Sequence, residues 1–254
     1  MTLVLLKLLL APVLVVASSL AGRRWGPALA GTLVALPVVA GPILFITFLD
    51  HGSAFVADAA AASLLGLITL ALFAVVFARL SGLLWWPGVI LSGWIVCLAA
   101  DFVFASVRIP PWAGLVLTLA TTFLATRVMP AERPEHRQPV SLPWWDLPAR
   151  AVTTGALVLT VTAAAARLGP GLTGVLAPFP IGTSVVAGFA LAQGGPAAAV
   201  STMRGVLRGL GGFAAFCFLV AVLAVPLGGA AAFTLAVAGT VVVQLLVRSP
   251  GWRE

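Results

Sequence analysis

Apolar residues run in blocks of about twenty, divided by short polar interruptions, at roughly residues 2–22, 27–49, 54–80, 83–107, 111–129, 150–166, 170–193, 196–224 and 227–247. They do not alternate with polar residues as in a half-buried strand, nor at the helical period of a surface helix. About 20 mainly apolar residues span a bilayer as a helix. Within lipid a helix satisfies its own backbone groups, so apolar blocks of this length are stable there. The pattern predicts an all-α integral membrane protein of about nine transmembrane helices.

Composition strengthens that reading. Of 254 residues 61% are hydrophobic, and only 14 are Lys or Arg and 7 Asp or Glu. Mean hydropathy is +1.16. Soluble domains carry roughly 25% charged residues, and a globular surface cannot be covered with so few. A soluble enzyme, a disordered tail and a nucleic-acid-binding module are excluded. The net charge of +7 does not revive the last, because the basic residues stand singly or in pairs at block edges. That is how orientation signals of a multi-pass membrane protein are arranged. In the first block Arg23 and Arg24 follow the apolar core, whereas a secretory signal puts its charge ahead of it; the first segment is expected to be mature structure.

An internal repeat organises the blocks. Arg24-Trp-Gly-Pro-Ala-Leu-Ala-Gly31 matches Arg167-Leu-Gly-Pro-Gly-Leu-Thr-Gly174 at an offset of 143 residues. The register continues without a gap through Leu33 on Leu176, Pro37 on Pro180, Gly52 on Gly195, Gly66 on Gly209 and Phe73 on Phe216. Extended backwards, it sets Lys7 on Arg150. After Phe73 it fails, and Pro111 to Met129 pairs best with Pro226 to Arg248. The first half thus carries one helix more than the second, around Gly82 to Val107. Residues 1–129 form one repeat of five spans, 130–149 a proline-rich cytoplasmic linker, and 150–254 a second repeat of four.

Five spans before the second repeat would insert it upside down relative to the first. Charge placement is an independent test. With the N-terminus outside and the C-terminus cytoplasmic, Arg23, Arg24, Arg79, Arg127, Arg133, Arg137, Arg150, Arg204, Arg208, Arg248 and Arg253 lie inside. Lys7, Arg108 and Arg167 are left outside. This agrees with the positive-inside rule. Every tryptophan except Trp94 falls at an expected interface, where amphipathic rings belong. The expectation is two inverted-topology repeats in a bacterial inner membrane.

Spans two and seven carry the candidate site. Span two contains Pro37, Gly41 and Pro42, and span seven Pro178, Pro180 and Gly182, followed by Thr183 and Ser184. Proline removes an amide donor and clashes with the preceding turn, so both helices should break near mid-membrane. Paired breaks in corresponding spans of inverted halves point to a transporter's substrate site; packing kinks are the alternative. Pro37, Gly41, Pro180, Gly182, Thr183 and Ser184 are the candidate substrate-binding residues.

Four charges fall at hydrophobic depth. Asp58 and Asp101 are candidates for proton coupling, since carboxylates there are costly and often mark ion paths. The alternative is a solvated cluster with Asp50, His51, Lys7 and Arg108 at the outer interface. Arg204 and Arg208, four residues apart and on one helical face, could receive a phosphate or carboxylate, or could snorkel to the inner interface and fix topology. The stripe Asp58, Ala62, Gly66, Thr69 reads first as a close helix contact. His51 and His136 fall in loops. Cys97 and Cys217 lie inside apolar blocks without metal-type spacing, as small buried hydrophobes. No nucleophile elbow, zinc-protease motif or phosphate loop is present, so the chain is not expected to be an enzyme.

The duplicated Gly-Pro-x-Leu-x-Gly-x5-Pro element, Gly26 to Pro37 and Gly169 to Pro180, resembles a family of small, duplicated, transporter-like bacterial inner-membrane proteins. The resemblance covers most of the chain. It implies architecture and carries no functional residues across. The resulting expectation is a secondary transporter with its site between spans two and seven. A lipid carrier using Arg204 and Arg208, and a non-transporting subunit of an envelope complex, are the rivals. Expected partners are the bilayer and a small-molecule or lipid substrate, with a homo-oligomer compatible with the reading; no cofactor, metal or nucleic acid is expected.

Overall fold

The computed structural model describes residues 2–37, 40–131, 143–168 and 179–247. Pro178, His136, Arg133, Arg137, Arg248, Arg253, Trp252 and most of the linker lie outside the described residues, as do the side chains of Lys7 and Arg167. Among the described residues there are eight helices and no strand: α1 (Thr2–Trp25), α2 (Pro27–Val34), α3 (Ala40–Leu80), α4 (Trp86–Phe104), α5 (Pro111–Val128), α6 (Asp146–Leu168), α7 (Ile181–Leu227) and α8 (Gly229–Val247).

Five described segments are long and apolar enough to cross a membrane: Thr47–Leu80, Trp86–Phe104, Pro111–Val128, Ile181–Leu227 and Gly229–Leu246. The chain is therefore built as an all-α protein of membrane type. At 1.5 Å per residue α7 would be about 70 Å long, more than twice a hydrocarbon core of about 30 Å, and it is divided. Helical geometry fails at Gly195 (φ 71°, ψ −173°), and α3 fails in the same way at Gly52 (φ 81°, ψ −178°). Such a conformation is nearly closed to any residue with a Cβ. The two glycines are the pair that the 143-residue register aligns, and each falls where the apolar pattern expects one block to end and the next to begin.

α7 is the hub. It packs on α2, α3 and α8 and touches α5 and α6, while α3 carries α4 and α5, and α1 carries α2 and α6. The core lies between the second arms of α3 and α7, filled by Phe73, Phe77, Leu67, Met203, Leu207, Leu210 and Phe216. The outer faces of α4, α5 and α8 turn large apolar side chains outward; Phe102 is 77% and Leu246 79% exposed. A face of that kind is suited to lipid or to a partner's apolar surface rather than to water.

The closest helix crossing is α2 on α7. Gly205 and Gly209 form a small-xxx-small pair, the arrangement that lets helix backbones approach in lipid. A Cβ built on Gly205 would lie 1.9 Å from the Ala28 carbonyl oxygen, and one on Gly31 2.0 Å from that of Thr202. The Thr32 hydroxyl donates to the Gly205 carbonyl at 3.0 Å across the seam.

α6 begins at Asp146, four residues before the expected edge of its span. Pro148 is accommodated because the first turn of a helix has no intrahelical use for its amide.

Candidate functional site

Span two is interrupted. α2 stops at Val34, the chain turns through Ala35, Leu36 and Pro37, and helix resumes at Ala40. Residues 169–178 of span seven lie outside the described residues. Phe179 and Pro180 are non-helical, and α7 starts at Ile181 with Pro180 as its N-cap. These two places touch. A Cβ on Gly182, in the first turn of α7, would lie 3.0 Å from Val34 Cγ2 and 3.4 Å from Val15 Cγ2. The C-terminal end of α2 therefore meets the N-terminal end of α7. Their dipoles bring partial negative and positive charge together.

Of the candidate substrate residues, Thr183 and Ser184 are buried beside this meeting point and Pro180 is buried at it. Gly41 lies one turn past the first interruption, where a Cβ would rest 3.4 Å from the Phe216 ring. Ser184 is held from α4: the Trp94 indole N–H donates to its Oγ at 2.8 Å, and the Trp94 ring packs on Phe179 at 5.8 Å between centroids. Trp94, the one tryptophan away from an expected interface, thus reaches the start of α7.

The two candidate proton carriers differ. Asp58 is exposed, past Gly52 on the same arm as Phe55, whose ring stacks at 4.6 Å on that of His51, the last residue before the break and helical where the sequence predicts a loop. Asp101 is 2% exposed, and no hydrogen-bond donor among the described residues reaches either carboxylate oxygen. Thr69 lies beside it, its hydroxyl committed to the Gly66 carbonyl at 2.8 Å, while Cys97 donates its thiol to the Thr69 carbonyl at 3.3 Å. Burying an unpaired carboxylate is expensive unless it takes up a proton.

Arg204 and Arg208 are divided as well. Arg204 Nη2 donates to the Pro130 carbonyl at 2.7 Å, and Arg79 Nη2 to the Val128 carbonyl at 2.8 Å. Two arginines from different helices thus cap the C-terminal end of α5, satisfying carbonyls that have no partner within it. Arg208 is exposed.

The densest polar cluster was not singled out from the sequence. Asp146, fully buried, accepts from Arg23 Nη2 at 2.6 Å, from Arg150 Nε at 3.0 Å and from the Gln193 amide. Arg150 also donates to Ser19 Oγ at 3.2 Å and to Gln193 Oε1 at 2.9 Å, and its guanidinium lies 4.6 Å from the Phe189 ring centroid. Burial alone pushes the Asp146 carboxyl up. The Gln193 and Arg23 hydrogen bonds and the Arg150 charge outweigh it and hold the group below its ordinary range. The signals were Asp146 four residues before Arg150, the spacing of a helical ion pair, and Gln193 as a lone amide within an apolar run.

No group of three or more metal-ligating side chains occurs among the described residues. No protein-family model, curated protein or solved structure matches the chain.

Proposed function

We propose that the chain is a secondary active transporter of a bacterial inner membrane, moving a small solute by alternating access between two inverted halves. In this reading nine spans run from an outside N-terminus to a cytoplasmic C-terminus, with residues 130–149 joining the halves. The solute sits where the interruptions of spans two and seven meet. Thr183, Ser184 and backbone groups around Pro37, Gly41 and Gly182 hold it, and Asp101 carries a coupling proton.

The observation that carries the reading is the contact of Gly182 with Val34, which joins the interruption after α2 to the start of α7, far apart in sequence. Interrupted helices meeting inside a membrane protein offer backbone donors and acceptors at a depth where lipid offers none. The matched geometry of Gly52 and Gly195 supports the duplication. The isolation of Asp101 favours it over Asp58 as the proton carrier.

The test is uptake into proteoliposomes under an imposed pH gradient, across a panel of amino acids, sugars, organic acids and organic cations. Gradient-driven uptake of one class is expected in the parent and in Asp58→Asn. Asp101→Asn should lower it by at least about tenfold, as removal of an essential general acid or base does. Absence of gradient-driven uptake for every class, or an Asp101→Asn variant equal to the parent, contradicts the reading.

A further inference from the structure

We propose that Asp146, Arg150, Arg23, Gln193 and Ser19 form a latch that closes the cytoplasmic mouth of the path to the helix interruptions, and that it opens as the first arm of α7 swings about Gly195. The proposal rests on the transporter reading, which supplies the path.

Three elements far apart in sequence meet in this network. Ser19 and Arg23 come from the end of α1, Asp146 and Arg150 from the start of α6, and Gln193 from the end of the first arm of α7. Arg150 grips that arm twice, through the Gln193 amide and the Phe189 ring, four residues apart and so on one face. Two residues beyond Gln193 the arm ends at Gly195, whose φ of 71° only glycine adopts readily, and a Cβ there would meet nothing within 4 Å. The joint is therefore conformationally permissive and sterically open. At its other end the same arm carries Ser184, Thr183 and the Gly182–Val34 contact, the last about 16 Å from Gln193 along the helix axis. A tilt at Gly195 that parts Gln193 from Arg150 moves the arm bearing the candidate solute residues.

The ion pairs fix the α1–α6 side of the network, and the arm is held to it through Gln193 and Phe189. One carboxylate holds two guanidinium groups, and Asp146 and Arg150 are both buried. Parting the arm takes one hydrogen bond each from buried Asp146 and Arg150, so a half-open arm that neither keeps these bonds nor admits water is disfavoured. Packed elements with two discrete arrangements are what domain closure uses.

The test uses the full chain with Cys97→Ala, Cys217→Ala and Thr183→Cys, in membrane vesicles of each orientation, with a membrane-impermeant methanethiosulfonate as probe. Thr183→Cys is expected to react slowly from both faces. Adding Gln193→Ala or Asp146→Asn should raise its rate from the cytoplasmic face by at least about fivefold, the lower end of the coupling that a conformational equilibrium carries. The rate from the outer face should stay unchanged. No cytoplasmic rise, or an equal rise from both faces, overturns the proposal. If neither variant is recovered folded, Arg150→Lys, which keeps the charge but loses the planar fork, is read by the same two results. Labelling needs no solute. A latch that opens in a protein moving nothing would sink the transport reading alone, and unchanged labelling in a protein that transports would sink the latch alone.

Discussion

Trp94 donates its indole N–H to Ser184 across 2.8 Å, tying α4 to the first turn of α7. α4 lies in the stretch, Gly82 to Val107, where the 143-residue sequence register no longer holds. Its neighbouring Gly93 admits the Phe73 ring, to which a Cβ would stand 2.7 Å away, so the helix enters the core closely enough for Trp94 to reach the start of α7.

Trp94→Phe keeps most of the ring packing on Phe179 and removes the donor. Its effect should depend on Ser184. In a double-mutant cycle with Ser184→Ala, thermal unfolding in detergent should give a coupling of about 0.5–1.5 kcal/mol, the net value of one such hydrogen bond. Additive effects of the two substitutions would mean that the bond contributes nothing to the fold.

The α2–α7 seam makes a steric prediction. Gly205→Ala forces a methyl onto the Ala28 carbonyl, and the helices must separate. Overpacking of this kind costs about 1–3 kcal/mol. Gly211→Ala, on the same helix, places its Cβ 3.8 Å from Val243 in ordinary contact. It should leave the melting temperature unchanged or raise it slightly, since alanine is the better helix former. Equal melting temperatures for the two variants would show that the seam is looser than the structure has it.

Asp146 makes a prediction about acid. Its folded-state carboxyl is held below the ordinary range, so its contribution is fully present above the unfolded carboxylate pKa of about 3.9. That contribution is lost as pH falls through the lower folded value. The difference in unfolding free energy between the parent and Asp146→Asn should be constant from neutral pH to about pH 5 and shrink below pH 4. At neutral pH the cost of Asp146→Ala should be about 3–5 kcal/mol, because Arg150 stays buried without its partner. A difference that widens on acidification would contradict the assignment.

Much of this architecture is legible in residue order, and for a physical reason. A bilayer imposes one length scale and one polarity on every span, so apolar blocks and their edges can be read without knowing their neighbours. The proline interruption after Val34 is a local backbone property and is legible too, whereas Gly52 and Gly195 show in the sequence only as a matched pair at block edges and their broken geometry comes from the structure. What stays hidden is lateral. Nothing in the order of residues says that Trp94 reaches Ser184, that Gln193 closes on Arg150, or that Asp101 faces inward while Asp58 faces out. Arg204 illustrates the limit: its place near a span edge is visible in sequence, but the Pro130 carbonyl it serves lies 74 residues away.

The inverted arrangement of the halves is most directly tested by sidedness. In a chain lacking Cys97 and Cys217, single cysteines replace Trp25, at the end of α1, and Leu168, at the end of α6. α1 ends beside the start of α6, where Arg23 meets Asp146, which sets the two positions at opposite ends of that pair. An impermeant maleimide should modify Trp25→Cys only from the cytoplasmic face and Leu168→Cys only from the outer face. Modification of both from one face would contradict the inverted halves, and the transport reading with them.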